Sequence, residues 1–306
     1  MTATIYSRHL MAKIETTNDT DAVPVVGTND VRILSGKISM PPEILARKVV
    51  KTTMGQKAHL ISPKRLMQLD LEIELKPSGA AGTPPEFGPL LQACGLSETI
   101  IAATSVAYDP ITSGIKKCSD YWYDDGLLYK LIGSVGGGTL DAQIGKVIMV
   151  KLALKAPFVE PTAVAVPATA SMVFQSAAPL VMSSADVISD GTAIKVGAFT
   201  FDFGNEIQQH YTTGQNVFRI VDRVPKIKFT KDSVSTAAEW QALTAGTDVS
   251  FSATFGSSAG NKLVLTAPAA RRENVMPANR GDQPTYEISY GLYESAGDDA
   301  FKLLFN

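Results

Sequence analysis

A β-rich fold, either all-β or α+β, with two tandem domains is predicted by three features of the sequence. Several segments alternate apolar and polar residues with the period of two that is typical of half-buried strands. A short motif with the character of a helix start occurs once in each half of the chain. The length of 306 residues is sufficient for two domains that each have a hydrophobic core.

The repeated motif is a threonine followed three residues later by glutamate and then by an aromatic residue. The two copies are Thr83-Pro84-Pro85-Glu86-Phe87 and Thr236-Ala237-Ala238-Glu239-Trp240. This spacing predicts a capping box, in which the hydroxyl accepts from a free N–H of the first turn and the glutamate reaches back. Leu90 and Leu243 would hold each helix to the core, and Gly95 and Gly246 would end it. Because one element order recurs, a duplicated domain is predicted.

The first half begins with two polar segments. Residues 1–30 are rich in threonine and predict an extended amino-terminal arm. Val31 to Ile38 can form a first strand, and residues 51–65 predict a long loop. The first domain is expected to span residues 31–156.

Leu66 to Leu75 predicts a strand with one buried face and one acidic face. Asp70, Glu72 and Glu74 alternate with leucine and isoleucine, and carboxylates on one strand face lie roughly 6.6–7 Å apart. One interpretation is an ordinary solvated face. The other is an acidic wall that, in a ring of copies, lines a channel and repels nucleic-acid phosphates.

The rest of the first half predicts more strands, one around Val106, one over Tyr121 to Leu131 and one over Lys146 to Leu154. Gly136-Gly137-Gly138 predicts a flexible hairpin tip between the last two. The run matches neither a phosphate-binding loop nor a dinucleotide fingerprint, because Leu140 and Asp141 stand where glycines are needed.

A proline- and alanine-rich segment, residues 157–190, is the predicted linker. The second domain is expected to span residues 191–306. Phe199, Phe201 and Phe203 lie on one face of its first strand. Further strands are predicted over Val217–Ile220, Lys226–Phe229, Val249–Phe255, Leu263–Leu265 and Thr285–Tyr293.

Composition and motifs argue against several functions. The net charge of -2 gives no sign of a basic nucleic-acid-binding face. None of the three histidines has a partner at metal-ligand spacing, no nucleophile elbow is present, and we expect neither catalysis nor a cofactor. Cys94 and Cys118 predict buried thiols rather than a disulfide. No signal peptide or membrane-spanning run is found, so a soluble protein made in a reducing cytoplasm is expected.

Two polar or aromatic clusters suggest contacts. Tyr121-Trp122-Tyr123 could stack on bases or sugars, but the acidic residues around it favour strand packing or a subunit contact. Arg271, Arg272 and Arg280 fall in a predicted polar loop, Arg271 to Pro284. These arginines are expected to reach a neighbouring subunit.

Two stretches resemble the major tail tube proteins of long-tailed, siphovirus-type bacteriophages. The first runs from Leu69 through Gly95, with Glu72-Ile73-Glu74-Leu75 followed by the turn and helix. The second combines Phe201–Glu206 with Ile220–Pro225. The resemblance covers about residues 66–300. It implies a fold of two tandem β-sandwich, barrel-forming tube domains, each with a short helix.

The resemblance also implies a function in the virion. Family members form hexameric rings whose inner sheets join around a lumen, and a duplicated chain would need three copies for a pseudo-hexameric ring. The rings stack into the tail tube, through which DNA is ejected. Expected partners are the tape measure, tail terminator and distal tail proteins and the passing DNA, without a membrane. The expected location is the virion tail, and the host cytoplasm during assembly.

Residues are assigned to this function as expectations. Asp70, Glu72 and Glu74 are expected to line the lumen. Ring-to-ring contacts are expected from the amino-terminal arm and from the loop residues Lys51, Met54, Gln56, Lys57, His59, Lys64 and Arg65. An alternative function is a two-domain carbohydrate- or surface-binding module that uses Tyr121-Trp122-Tyr123 as a stacking platform.

Overall fold

The computed structural model describes residues 8–45, 59–62, 64–182, 185–232 and 237–306. Strands dominate and only two short α-helices occur among these residues, which confirms the β-rich prediction. The first half contains β1 (Arg8–Ile14), β2 (Asp30–Val31), β3 (Ser35–Ser39), β4 (Ile44–Leu45), β5 (Leu60–Ile61), β6 (Leu66–Glu74), α1 (Gly88–Ala93), β7 (Leu96–Ile101), β8 (Ser105–Pro110), β9 (Cys118–Asp124), β10 (Leu127–Gln143), β11 (Met149–Pro157) and β12 (Thr162–Ala163).

A 3-10 turn at Thr169–Ser171 precedes the second half. The second half contains β13 (Ala185–Ser189), β14 (Thr192–Ile194), β15 (Val196–Asp202), β16 (Asn205–Thr212), β17 (Gln215–Arg223), β18 (Lys226–Asp232), α2 (Ala238–Ala245), β19 (Val249–Ser258), β20 (Asn261–Arg280), β21 (Gln283–Tyr293) and β22 (Lys302–Phe305).

The same scheme of antiparallel pairings occurs in both halves. In the first half, hydrogen-bonded neighbours run β2-β1-β9-β10-β11-β6-β3. In the second half they run β14-β13-β19-β20-β21-β18-β15. A two-stranded hairpin lies at the same place in each half, β4–β5 after β3 and β16–β17 after β15. The β7–β8 hairpin has no counterpart among the described strands of the second half.

The two halves are joined by direct strand pairing. β10 pairs with β15 from Thr139↔Asp202 to Gln143↔Ala198, and this joint makes one run of eight strands, β3-β6-β11-β10-β15-β18-β21-β20. A second connection is the pairing of β22 with β8. One continuous cluster of buried apolar residues includes side chains from both halves.

The predicted alternations are confirmed. In β6, Met67, Leu69, Leu71 and Ile73 are buried, and the acidic residues between them are only half-buried. In β15 and just after it, Phe199, Phe201 and Phe203 are buried, and the last two rings pack against Phe301 with centroids 4.9 and 6.0 Å away.

The capping-box prediction is wrong for α1. This helix begins at Gly88, five residues after Thr83, and no side chain caps it. The Glu86 carboxylate accepts the backbone N–H groups of Arg32 and Gln175 instead and lies 3.8 Å from the ammonium of Lys76. It therefore fastens neighbouring segments to the start of the helix.

In α2 the corresponding Glu239 is also an ion-pair partner rather than a cap. It pairs with Lys231 and with Arg272, and Thr236 lies outside the described residues. The predicted ends are confirmed, since Gly95 and Gly246 have φ of 78° and 61°, the left-handed conformation that glycine adopts most easily.

The glycine run 136–138 was predicted to be a hairpin tip, but it lies inside β10. A Cβ atom at Gly136 would meet a Leu154 methyl at 2.6 Å, and one at Gly138 would meet a Leu152 methyl at 2.5 Å. The run is therefore required by close packing of β10 on β11. The chain turns instead around Gly145, which has φ of 77°.

Other segments also differ from expectation. Residues 8–14 of the predicted arm form β1, which pairs with β9 over seven residues. The segment predicted as one strand from Tyr121 to Leu131 is a hairpin with its turn at Asp125-Gly126, where both residues have positive φ. Residues 271–280 of the predicted polar loop belong to β20, and residues 185–189 of the predicted linker form β13.

Candidate assembly surface

The acidic residues of β6 face away from the core, but they do not stand alone. Asp70, Glu72 and Glu74 are half-buried on the outer face of the eight-strand run. In the neighbouring strands, Lys37 lies opposite Asp70 and Lys151 lies opposite Glu72. Opposite charges in facing positions of antiparallel strands attract, so the predicted acidic wall is in fact a face of mixed charge.

The mixed charge continues across the joint between the halves. The Lys151 ammonium lies 2.7 Å from the Asp141 carboxylate, and this hydrogen bond raises the pKa of Lys151. In the second half, Lys226 lies 2.9 Å from Glu273, and the pKa of Lys226 is raised for the same reason. The sequence showed these lysines, but not that β11 lies beside β6.

Two strand edges at the ends of the run are open. Among the described residues, β3 pairs only with β6, and residues 272–280 of β20 pair only with β21. The edges that correspond to them within the repeated scheme, those of β15 and of the second part of β10, are paired with each other. Open edges are ready partners for another strand.

The three predicted contact arginines all lie on β20 and have partners within the chain. Arg271 contacts Asp248 at 2.8 Å, Arg272 contacts Glu239 at 3.2 Å, and Arg280 contacts Asp232 at 3.0 Å. Arg271 and Arg280 are exposed. All three therefore lie at or beside the open edge of β20 and not in a loop.

The predicted ring-contact loop is only partly described. Lys51, Met54, Gln56 and Lys57 lie outside the described residues. His59, Lys64 and Arg65 are exposed. The hairpin that flanks this loop exposes four aliphatic side chains, Ile44, Leu45, Leu60 and Ile61. An exposed apolar group of this kind is typical of an interaction surface.

Two residues of the second half that bond to the first half near the β10–β15 joint were not predicted as functional. Asn205 donates to the carbonyl oxygens of Cys94 and Gly136 at 2.7 and 2.9 Å. Arg223 donates to Gly95 O at 2.8 Å and to the Asn205 amide oxygen at 2.9 Å. Burial lowers the pKa of Arg223. Both lie in the two segments of the second half that resemble tail tube proteins. This resemblance was the signal in the sequence that could have identified them.

The aromatic cluster is not a binding platform. Tyr121, Trp122 and Tyr123 are all buried in β9, and the tyrosines pack with Met11 and Leu128. Since stacking on a sugar needs an exposed ring face, the carbohydrate-binding alternative loses its proposed site.

A buried polar cluster that includes residues of β9 and β10 was also not predicted. Asp120 is fully buried, accepts from the Ser134 hydroxyl at 2.5 Å, and leaves its second oxygen without a partner among the described residues. Burial raises the pKa of Asp120 to about 6. Nearby, the buried Glu15 carboxylate accepts from the Ser119 hydroxyl and from Gly133 N–H at 2.8 and 2.6 Å.

Neither metal sites nor membrane spans are found in the described part of the chain. No group of three histidine, cysteine or carboxylate side chains there is arranged to hold an ion. Neither helix has the length and apolar character needed to cross a bilayer. What the geometry offers is a set of surfaces for association: two open edges, an exposed apolar hairpin and a broad face of mixed charge.

A comparison with known protein families shows the family of the chain. A family model described as phage tail tube protein matches residues 8–291, which include both halves and the joint between them. No curated protein matches the sequence. The match covers nearly the whole chain, and the chain therefore belongs to the phage tail tube protein family.

Proposed function

We propose that copies of this chain assemble into stacked rings that form a phage tail tube and conduct DNA during ejection. The observation that carries the proposal is the pairing of β10 with β15. In the repeated scheme the corresponding edges, those of β20 and β3, have no pairing partner among the described residues. Pairing of β20 with β3 of the next copy would repeat the internal joint at each contact between chains and close a ring.

The repeated scheme supports a duplicated tube domain and hence a trimeric ring. Residues 31–156 and 191–306 are the two proposed domains. Each is extended towards its amino terminus by one preceding strand, β1 for the first domain and β13 for the second. Three chains, each with the eight-strand run, would give approximate sixfold symmetry. Since the two halves differ in the β7–β8 hairpin, the true symmetry of the ring would be threefold.

The outer face of the eight-strand run is the proposed lumen wall. Asp70, Glu72 and Glu74 would then line the lumen together with Lys37 and Lys151. A wall of alternating charge has a small net potential, and it offers no continuous basic track on which the phosphates of DNA could be held. DNA would therefore pass without sequence-specific binding.

The remaining proposed contacts, between rings and between subunits, are assigned mainly to exposed residues. His59, Lys64 and Arg65 are proposed to contact the next ring or the next subunit, together with Lys51, Met54, Gln56 and Lys57 of the same predicted loop. Arg271, Arg272 and Arg280 are proposed to act at the seam between subunits, because they lie at or beside the open edge of β20. The tape measure, tail terminator and distal tail proteins are the proposed partners, in the virion tail after assembly in the host cytoplasm.

Negative-stain electron microscopy of the purified chain over a concentration series tests the proposal. Rings or striated tubes with threefold and near-sixfold top views are the expected result. True sixfold rings would retain the tube but reject the trimer. Particles that stay monomeric at every concentration, also when a preformed tail tip is added, would reject self-assembly.

A further inference from the structure

The carboxyl-terminal end of α1 is closed by the second half of the chain. Asn205 and Arg223 donate hydrogen bonds to the carbonyl oxygens of Cys94 and Gly95. A Cβ atom at Gly95 would lie 3.1 Å from the δ-methyl of Ile220. The last carbonyls of a helix have no partner within the helix, so this cation, amide and aliphatic group complete the end of α1.

The corresponding end of α2 is open. Gly246 ends this helix in the same left-handed conformation, but no described side chain donates to the carbonyls of residues 243–246. Thr244 and Ala245 are exposed, and of the whole helix only Glu239 is buried. The two helices occupy the same place in the repeated scheme. Among the described residues, only α1 has a cover, that is, side chains from elsewhere that complete its carboxyl-terminal end.

The cover of α1 has a counterpart elsewhere in the sequence. Ile220 and Arg223 are spaced by three residues and precede β18. Ile61 and Lys64 have the same spacing and precede β6, the strand that corresponds to β18. Both are exposed, Ile61 to 60%. The chain therefore carries a second aliphatic and cationic pair with nothing to cover within the described structure.

We propose that the carboxyl-terminal end of α2 is the docking site for Ile61 and Lys64 of a second copy of this chain. The proposal rests on the ring of the proposed function, because pairing of β20 with the neighbour's β3 brings the segment between β3 and β6 to α2, as the β10–β15 joint brings Arg223 to α1. The Lys64 ammonium donates to the terminal carbonyls, where a cation is favoured by the helix dipole. Ile61 packs beside Gly246.

Cysteine cross-linking of the full-length chain tests this contact. The variant Ile61→Cys with Ala245→Cys is assembled at a concentration that gives rings and treated with a short bismaleimide. The native Cys94 and Cys118 are buried and do not react. The matched control is Lys116→Cys with Ala245→Cys, which also carries two cysteines at exposed positions.

Covalent ladders between chains, ending at the closed ring and absent from the control, are the expected result. Rings that form normally but cross-link no more than the control would overturn the docking site and leave the tube function intact. A cross-link within single chains would overturn it as well. If no variant and no unmodified chain forms rings, the proposed function itself fails, and the docking site with it.

Charge substitution at the same site gives a second, independent measurement. Lys64→Glu should raise the protein concentration at which rings form about tenfold, because a favourable charge at a helix carboxyl terminus becomes an unfavourable one. Lys64→Arg should keep the unmodified value, and Lys116→Glu controls for the change in net charge. Equal assembly of Lys64→Glu and Lys116→Glu would contradict the contact.

Discussion

The two helices of this chain occupy the same place in matching halves, yet they differ greatly in burial. At α1, Leu90 and the preceding Phe87 are 0% and 2% exposed, and the Phe87 ring packs on Phe305 of the last strand. In α2, Trp240 is 42% exposed. The side chains that cover α1 come from the other half of the chain and from the β7–β8 hairpin, whereas no equivalent cover for α2 is found among the described residues. In the proposed ring, a neighbouring copy would supply it.

Truncation of the two equivalent leucines should show the largest difference. Leu90→Ala should lower the free energy of unfolding by about 2–5 kcal/mol, because it leaves a cavity in a closed core. Leu243→Ala should cost less than about 1.5 kcal/mol in the unassembled chain, since Leu243 is only partly buried. Urea unfolding at one protein concentration measures both, and equal costs would contradict the comparison.

The buried carboxylate of Asp120 should make the free energy of unfolding depend on pH. Asp120 has no cationic partner among the described residues, whereas Glu239 is paired with Lys231 and Arg272. From the ordinary pKa of 3.8 up to about 6, folded Asp120 keeps a proton that the unfolded chain releases. The free energy of unfolding should therefore fall as pH rises through this window, by up to about 3 kcal/mol.

The matched variant is Asp120→Asn, which can still bond to Ser134. It should remove this pH dependence and should be more stable than the unmodified chain at pH 7.5 by about 1–3 kcal/mol. Thermal melting from pH 4 to pH 8 tests both statements. Parallel pH profiles for the variant and the unmodified chain would contradict the assignment to Asp120.

Removal of Arg223, the cation at the carboxyl-terminal end of α1, should lower the free energy of unfolding moderately. Arg223→Met keeps the aliphatic stem but loses the hydrogen bonds to Gly95 and Asn205. A cost of about 1–3 kcal/mol is expected, because buried carbonyl oxygens lose a charged donor. Lys64→Met should change the stability of the unassembled chain by less than about 0.5 kcal/mol. Equal costs in urea unfolding would remove the contrast between the two helix ends.

The smallest signal concerns Trp240 itself. The chain has two tryptophans, and Trp122 is fully buried, so a change in emission on assembly reports on Trp240. A shift of its fluorescence to shorter wavelength is expected when rings form, and the Trp240→Phe variant should abolish the shift. Unchanged emission in assembled rings would show that α2 keeps its exposed aromatic face in the tube.

The alternation of polar and apolar residues predicted most of the fold, and the pairing of distant strands accounts for most errors. β6, β11 and β15 were visible because one face of each is buried in a single core. The glycines of β10 were misassigned because their cause is the approach of Leu152 and Leu154, which lie on another strand. The lysines beside the acidic residues of β6 were not predicted for the same reason, since Lys151 is a neighbour of Glu72 only through strand pairing.

The prediction of functional residues was limited in the same way, because their roles depend on contacts between distant segments. The repeated motif correctly located two helices and their terminal glycines, but the role of its glutamates depends on Lys76 and Lys231, which no capping pattern includes. Arg223 and Asn205 lay in family-like segments, but their task at the end of α1 depends on the joint between the halves. Local sequence therefore predicted the elements, while the contacts between the elements required the structure.

The β10–β15 joint forms within a single chain, and this has a consequence for the kinetics of assembly. Each association of two free molecules costs several kcal/mol of translational and rotational freedom. In the proposed ring, half of the joints are completed by folding, at the high effective concentration of one chain. Three contacts between chains then remain, and only two of them require the encounter of free molecules, because the third closes the ring. Nucleation should therefore depend less steeply on protein concentration than it does for a ring of six separate domains.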